Sequence, residues 1–239
     1  MNWRFAFLLL PLIFGFTTSK KVTPPGMVLI QSGLYADQTE VTNLSWQEYL
    51  HDMQVRYGAA SENYRKALPD TTVWNEVNPL LTAKYLRHPL YKNYPVVGVS
   101  YEQVLAFCKW RTERVIAFYR LRYKDVWHIE YRLPTEQEWE SMALWESYQV
   151  NNNSSQKPLF NCKETCITPH TIQVKLFNKS LTGQYQLLGN VAEMVLEKNK
   201  AKGGSWFHSA EECRTGLSQS YFTPTAWLGF RCVCVVNPQ

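Results

Sequence analysis

The chain has 239 residues, of which 45% are hydrophobic and 14% aromatic, enough apolar material for one domain with a sizeable core. Only 19% of the residues are charged, and the net charge of +5 comes from lysines and arginines spread along the sequence. The absence of a basic stripe argues against nucleic-acid binding, and the many aromatic residues favour an irregular α+β fold over a helical bundle.

Residues 1–19 are typical of a secretory signal peptide. A positive charge precedes an apolar run, Phe5–Phe16, and the small residues Thr17–Ser19 follow it. This run is shorter than the roughly 20 residues of a membrane-spanning helix. Because the run is this short, we expect no transmembrane anchor. The first cysteine, Cys108, is far from the apolar run, so we expect no attached lipid. We expect an exported protein, periplasmic or secreted, with a single domain over residues 20–239.

Two extended segments are predicted near the start of this domain, at Met27–Ile30 and from Tyr35 to Thr42. A capping-box pattern then predicts a helix over Ser45–Gly58. The sequence from Ala59 to Asn93 is polar, contains several prolines and has no sustained period. It is therefore predicted to be a long loop with at most a short helical turn, and it is a candidate surface for a partner.

The next segment, Val96–Val99, is predicted to be a short buried strand. A second capping box begins at Ser100 and predicts a longer helix that ends near Tyr123. A third box begins at Thr135 and predicts another helix. Beyond Pro158 the pattern indicates short strands and turns.

Six cysteines in an exported chain predict disulfide bonds rather than free thiols. They are Cys108, Cys162, Cys166, Cys213, Cys232 and Cys234. The spacing does not favour a structural zinc site, because Cys232 and Cys234 are only one residue apart and would point to one face of a strand. Residue spacing alone leaves the pairing open.

Seven motifs occur in an order that resembles the formylglycine-generating enzyme family, also called sulfatase-modifying factors. They are Asp37–Asn43, Tyr94–Ser100, Ala106–Trp110, Arg132–Glu140, Gly189–Glu193, Gly203–Trp206 and Gly229–Cys232. The resemblance covers residues 26–236. It implies the fold of that family, an irregular α+β domain related to C-type lectins with little regular secondary structure.

Three further segments resemble one branch of the family, the gliding-motility and type IX secretion lipoproteins. They are Tyr64–Trp74, Tyr85–Pro89 and Lys109–Arg114. Proteins of this branch are regarded as structural parts of an envelope machine, so the resemblance implies envelope proteins as partners. The chain differs from the branch in lacking the lipid-accepting cysteine and any large extension beyond the domain.

Enzymes of the family hold copper with two cysteines five residues apart, which follow the Gly-Gly-Ser motif; thiolates suit the soft ion Cu(I). In this chain the segment that begins at Gly203 contains one cysteine, Cys213. Counted back from Cys232, Cys213 falls on the structural cysteine of the family, and His208 and Gly203 fall on the copper positions. The resemblance therefore implies a chain that binds no copper and lacks the catalytic thiols.

The same correspondence implies a disulfide bond between Cys108 and Cys232, which would join the long helix to the last strand. The position of the family's partner for Cys213 is occupied by Ala143, so Cys213 needs another sulfur atom or stays free. As a hypothesis, the remaining pairs are Cys162–Cys166 and Cys213–Cys234.

The resemblance also implies a calcium site, because oxygen ligands in a loop of the family suit a hard cation. The corresponding residues are Gln186, Gly189, Val191 and Glu193. Gln186 brings no charge, which predicts weaker calcium binding than an aspartate would give. The alternative is that Glu193 caps the adjacent loop through backbone amides and needs no metal.

Three functions remain open. The missing thiol pair favours a non-catalytic interaction or scaffold module of the envelope, with residues 59–93 as the partner surface. A metal-dependent oxidase with altered ligands, such as His208 and Cys213, would instead carry copper or iron in stoichiometric amount. A lectin-like ligand-binding module is suggested by the fold relationship and the many tryptophans and tyrosines.

Overall fold

The computed structural model describes residues 23–122, 127–151, 160–166, 170–177 and 179–238. The predicted signal peptide, residues 1–19, lies outside these ranges. Within them, no helix is both long enough and apolar enough to cross a membrane.

Helices and strands are both present and mixed along the chain, which confirms the predicted α+β class. The helices are α1 (Asn43–Tyr57), α2 (Glu62–Ala67), α3 (Pro79–Lys84), α4 (Tyr101–Arg122) and α5 (Glu136–Asn151). The strands are β1 (Met27–Gln31), β2 (Leu34–Asp37), β3 (Trp127–Arg132), β4 (Ala192–Met194), β5 (Lys200–Lys202), β6 (Ser218–Ser220), β7 (Leu228–Gly229) and β8 (Val233–Pro238).

The strands form two sheets of four. In the first sheet the order is β1-β2-β8-β3 and all neighbours are antiparallel. In the second sheet the order is β6-β5-β4-β7, and only β4 and β7 run parallel. The last strand of the chain, β8, therefore lies inside the first sheet. Val233 packs on one face of this strand, whereas Cys232 and Cys234 pack on the other, as their spacing predicts.

Helix α1 begins earlier than predicted. Thr42, rather than Ser45, is the residue before its first turn, and the Thr42 hydroxyl accepts a hydrogen bond from the Ser45 amide at 3.2 Å. A β-bridge between Thr42 and Pro95 holds Thr42 in extended conformation, which suits the capping position. The helix ends at Gly58, as predicted.

The 59–93 segment is more helical than predicted. It contains α2, α3 and two 3₁₀ turns, Thr71–Trp74 and Pro89–Tyr91. The side chain of a polar residue caps each of these four elements, but elements this short carry no periodic hydrophobic pattern. The predicted strand at Val96–Val99 was wrong: the segment is buried, yet it lies outside both sheets.

The capping boxes of α4 and α5 form as predicted. The Ser100 amide donates to the Gln103 side chain at 2.7 Å, and the Gln103 amide donates back to the Ser100 hydroxyl at 3.2 Å. Thr135 and Glu138 make the same reciprocal pair, at 2.8 and 3.1 Å. Each box satisfies backbone amides that a helix start leaves free. Strand β3, which lies between these two helices, was not predicted.

Aromatic rings build the main core cluster. Trp46 of α1 stacks on Phe107 of α4 with ring centroids 5.2 Å apart, and Phe230 meets Trp46 edge-on. These contacts tie the two helices to the segment between β7 and β8. They also place α1 and α4 side by side, and an open cleft lies between the solvent-facing sides of these two helices and α2.

Candidate functional site

The segment from Gly203 to Cys213, which the resemblance aligns with the copper-binding region of the enzymes, is closely packed at its start. Gly203 has a φ of +88°, a conformation that residues with a side chain rarely adopt. A Cβ atom there would lie 2.9 Å from the ring of Trp139 and would also collide with the Leu187 carbonyl oxygen. No thiol fits at this position without a change in the backbone.

His208, which the count from Cys232 aligns with a copper position, makes local contacts. Its Nδ1 atom lies 2.7 Å from the Ser205 hydroxyl, and its ring meets Trp227 edge-on with centroids 4.8 Å apart. Burial lowers the pKa of His208, so the neutral imidazole is favoured. The other suggested ligand of an altered oxidase, Cys213, is 1% exposed, and its Sγ atom is 4.0 Å from the Ser205 carbonyl oxygen. Across the described ranges, no three His, Cys, Asp or Glu residues are grouped so as to hold a metal ion.

The predicted calcium residues surround an ion pair. Glu193 is fully buried, and its two carboxylate oxygens accept hydrogen bonds from Arg231 at 2.5 and 2.6 Å. One of these oxygens also accepts a hydrogen bond from Trp139 at 2.7 Å. Arg231 is itself fully buried and donates to the Asp37 carbonyl oxygen at 3.2 Å. The charge of Glu193 is therefore neutralised by a guanidinium group rather than by backbone amides.

These residues do not fit a calcium ion. A cation bound to Glu193 would lie beside the positive charge of Arg231, which would repel it. In the amide orientation that satisfies both its oxygen and its nitrogen, the Gln186 nitrogen donates to the carbonyl oxygens of Gln173 and Val174, at 3.1 and 2.8 Å. Only the backbone carbonyls of Gly189 and Val191 remain from the implied ligand set, and two neutral oxygens bind calcium weakly.

A second acidic residue, Glu40, belongs to the same buried centre and was not singled out from the sequence. Its side chain accepts a hydrogen bond from Asn190 at 2.7 Å, and its other oxygen has no partner in the described part of the chain. Burial raises the pKa of Glu40 to about 8, against the opposing effect of the positive charge on Arg231. The signal in the sequence was that Glu40, Asn190 and Arg231 each belong to one of the seven motifs.

We call this set the buried polar centre: Asp37, Glu40, Trp139, Asn190, Glu193 and Arg231. It joins the first, fourth, fifth and seventh motifs and connects β4 with the segment before β8. Buried polar groups in contact with one another are costly to leave unpaired. The centre is therefore structural, and it is sealed from solvent.

The six cysteines lie in three places. Cys108 of α4 and Cys232 are both buried, with their Sγ atoms 3.7 Å apart. Cys234 belongs to the same core cluster, whereas Cys162 and Cys213 both belong to the cluster beneath α5. Cys166 is more exposed, and its Sγ atom is 3.6 Å from the Lys163 carbonyl oxygen. All six are thiols in this structure, so the predicted Cys108–Cys232 bond stays a prediction with its two sulfur atoms already adjacent.

An open cleft lies between α1, α2 and α4, and it has a volume of about 720 Å³. Its floor is apolar and contains Tyr49, Met53 and Trp110, with the rings of Tyr49 and Trp110 5.2 Å apart. The Trp110 indole is fixed by a hydrogen bond to Asp52 at 2.8 Å. Part of one wall comes from α2 and therefore from the segment predicted as a partner surface.

The rim of this cleft carries basic and acidic side chains. Arg56 pairs with Asp52 at 2.7 Å, and Lys66 pairs with Glu62 at 2.6 Å. Lys109 is exposed on α4 and forms no ion pair with any described residue. An apolar aromatic floor with an unpaired cation at its edge suits a ligand that combines an apolar group with a negative charge.

One protein family matches nearly the whole chain. The family profile described as the sulfatase-modifying factor enzyme 1-like domain matches residues 13–236. A comparison with curated protein sequences gives no significant match.

Solved structures show the same fold at low sequence identity. The structure titled Treponema denticola variable protein 1 is 18% identical, with a TM-score of 0.54 and 84% of each chain covered. The structure titled CarF is 16% identical, with a TM-score of 0.57, and the match covers 85% of this chain and 87% of that one.

Proposed function

Since the chain belongs to the sulfatase-modifying factor enzyme 1-like family, we propose that it keeps the family's fold without the copper chemistry and acts as an exported, non-catalytic binding module. One observation carries this proposal. The segment from Gly203 to Cys213 begins with the Gly-Gly-Ser motif that the copper cysteines of the enzymes follow, yet it contains a single cysteine, Cys213, which is buried. His208, five residues before Cys213, is engaged by Ser205 and Trp227.

The cleft between α1, α2 and α4 is the binding surface in this proposal. It lies on the outside of the aromatic core, so a ligand can occupy it without disturbing the packing beneath. The partner that suits it is a protein segment that places an apolar side chain on Trp110 and a carboxylate beside Lys109. With the predicted signal peptide, this points to a protein of the cell envelope or the exterior.

The narrower assignment to the gliding-motility and type IX secretion branch rests on its three sequence segments. Two of them contribute to the cleft: Tyr64–Trp74 includes part of the α2 wall, and Lys109–Arg114 includes part of the α4 wall. The comparisons add no support for this branch. The branch therefore supplies candidate partners for an experiment and is no part of the family assignment.

Affinity purification tests the proposal. Tagged mature protein would be recovered from gently solubilised envelopes, and its co-purifying proteins would be identified by mass spectrometry. We expect one dominant partner that is lost with Lys109→Glu, because the new charge would repel the carboxylate. Arg120→Glu is the matched control, since it makes the same charge change on α4 outside the cleft.

Three results of this purification would count against the proposal. Equal loss of the partner in both variants would indicate a general charge effect and would contradict binding in the cleft. Recovery of the protein alone, together with stoichiometric copper or iron in the purified sample, would overturn the non-catalytic proposal. Binding of glycans in place of a protein would favour the lectin-like alternative.

A further inference from the structure

Two buried thiols from distant parts of the chain belong to the same core cluster. Cys162 and Cys213 both belong to the core cluster beneath α5, and their exposed fractions are 0% and 1%. Neither the spacing of the cysteines nor the resemblance to the enzymes brought these two residues together.

The two segments that carry these thiols are held against each other by hydrogen bonds. The Lys163 amide donates to the His208 carbonyl oxygen at 2.9 Å, and the Ala210 amide donates to the Glu164 carboxylate at 2.9 Å. The same Glu164 oxygen accepts a hydrogen bond from the Cys162 thiol at 3.2 Å. The amide of Cys213 donates to the Ala210 carbonyl oxygen at 3.3 Å. A single carboxylate thus links the Cys162 thiol to the turn that ends at Cys213.

We propose that Cys162 and Cys213 form a disulfide bond in the mature protein. The two S–H bonds break and one S–S bond forms. The two electrons and two protons pass to a small-molecule disulfide, such as oxidised glutathione, which is cleaved to two thiols. The bond would fasten the segment from Ser205 to Cys213 to the 160–166 segment.

The alternative partners are placed less well. Cys234 packs on the face of β8 that carries Cys232, whereas Cys213 packs with Val233 of the opposite face. Cys166 lies one turn from Cys162, with its amide bonded to the Cys162 carbonyl oxygen, but its thiol points to the Lys163 carbonyl oxygen near the surface. The structure therefore favours Cys162–Cys213 over the pairs Cys162–Cys166 and Cys213–Cys234.

Burial also affects the chemistry of these thiols. It raises the pKa of Cys213 to about 12, with a smaller contribution in the same direction from the neighbouring Cys162. Burial likewise raises the pKa of Cys162. Since the thiolate is the reactive form, the bond should form during folding, while the thiols are still accessible, and should then resist reduction in the folded protein.

A tryptic peptide map tests the pairing directly, because the sequence separates the candidates. Lys163 lies between Cys162 and Cys166, and Arg214 follows Cys213. The full mature chain would be refolded with oxidised and reduced glutathione, alkylated in denaturant without reduction, and digested. We expect residues 133–163 to be linked to residues 203–214. The pair Cys108–Cys232 would appear as residues 93–109 linked to 232–239.

Other maps would overturn the proposal. Residues 203–214 recovered as an alkylated peptide would show a free Cys213, and their linkage to 164–175 or 232–239 would show a different partner. The thermal stability of cysteine variants provides a second test of the bond. Cys162→Ser and Cys213→Ser should each lower the Tm by roughly 5 °C or more under oxidising conditions.

The double variant distinguishes a covalent bond from packing. If the two sulfurs form one bond, the double variant should unfold close to the Tm of either single variant, because the bond is lost only once. Additive losses would mean that each thiol acts only by packing, and would contradict the proposal. As a control, dithiothreitol present during refolding should lower the Tm of the wild type more than that of the double variant.

Discussion

The buried polar centre and the segment from Gly203 to Cys213 lie side by side in the fold, yet they relate to the family in opposite ways. The centre keeps the charged and polar residues of the motifs, whereas the segment contains a single cysteine, Cys213. Trp139 touches both regions: its indole donates to Glu193, and its ring fills the space where a side chain at position 203 would lie. Residues that complete a buried ion pair are needed by the fold, and residues that hold a catalytic metal are needed only by the reaction.

The largest expected effect comes from breaking the ion pair of the centre. Arg231→Met should destabilise the protein by about 3–5 kcal/mol, because it leaves the Glu193 carboxylate buried without a counter-charge. Urea unfolding would measure the change. Lys198→Gln removes an exposed ion pair with Glu102 and is the control, with a small expected effect. Equal effects in the two variants would contradict a structural role for the centre.

A side chain at position 203 should destabilise the fold nearly as much. Gly203→Ala should cost about 3 kcal/mol or more, from backbone strain at positive φ together with contact with Trp139 and Leu187. Gly216→Ala is the matched control, because a Cβ atom there meets open space. If thermal unfolding shows that position 203 accepts alanine as readily as position 216, then Trp139 and Leu187 do not exclude a side chain from the start of this segment.

The pH dependence of stability tests the environment of Glu40. Its folded pKa of about 8 lies above the ordinary value of 4.5, so the folded state keeps its proton to higher pH than the unfolded state. This contribution to stability is fully present below pH 4.5 and is lost as the pH rises towards 8, with a slope of at most about 1.4 kcal/mol per pH unit. Glu40→Gln should remove that slope. Urea unfolding between pH 5 and 8 would compare the two proteins, and parallel curves would show that Glu40 is ionised in the fold.

The smallest expected effect is that of calcium. Because the carboxylate of Glu193 forms an ion pair with Arg231, neither excess calcium nor a chelator should shift the Tm of the purified protein. A site filled at 100 times its Kd would add about 2.7 kcal/mol and shift the Tm by several degrees. A shift of this size that Glu193→Gln abolishes would contradict the account of the centre.

Local signals were sufficient for much of the fold. The boxes at Ser100 and Thr135 predicted α4 and α5 because all the groups involved lie within one turn of the chain. The box at Ser45 failed because Thr42, fixed by its bridge to Pro95, caps the helix first. The short helices of the 59–93 segment were missed because six residues are too few to show a period.

The site depended on contacts that no sequence spacing reveals. Glu193 was identified as a ligand position through the resemblance, but its pairing with Arg231 arises from the packing of β4 beside the segment that leads into β8. Likewise, Cys162 and Cys213 enter one core cluster because the 160–166 segment folds back onto the turn at Ala210. The cleft combines α1 and α2 with α4, which begins more than 30 residues after the end of α2.

The most direct test of partner binding in the cleft is photo-crosslinking at two alanines of α4. A photoreactive amino acid would replace Ala106, which is exposed and lines the cleft, or Ala117, which is exposed outside it. The proposal predicts that the Ala106 probe captures one envelope protein in cells and that the Ala117 probe does not. Capture at Ala117 alone, or the same proteins captured from both positions, would contradict the assignment of the cleft as the binding surface.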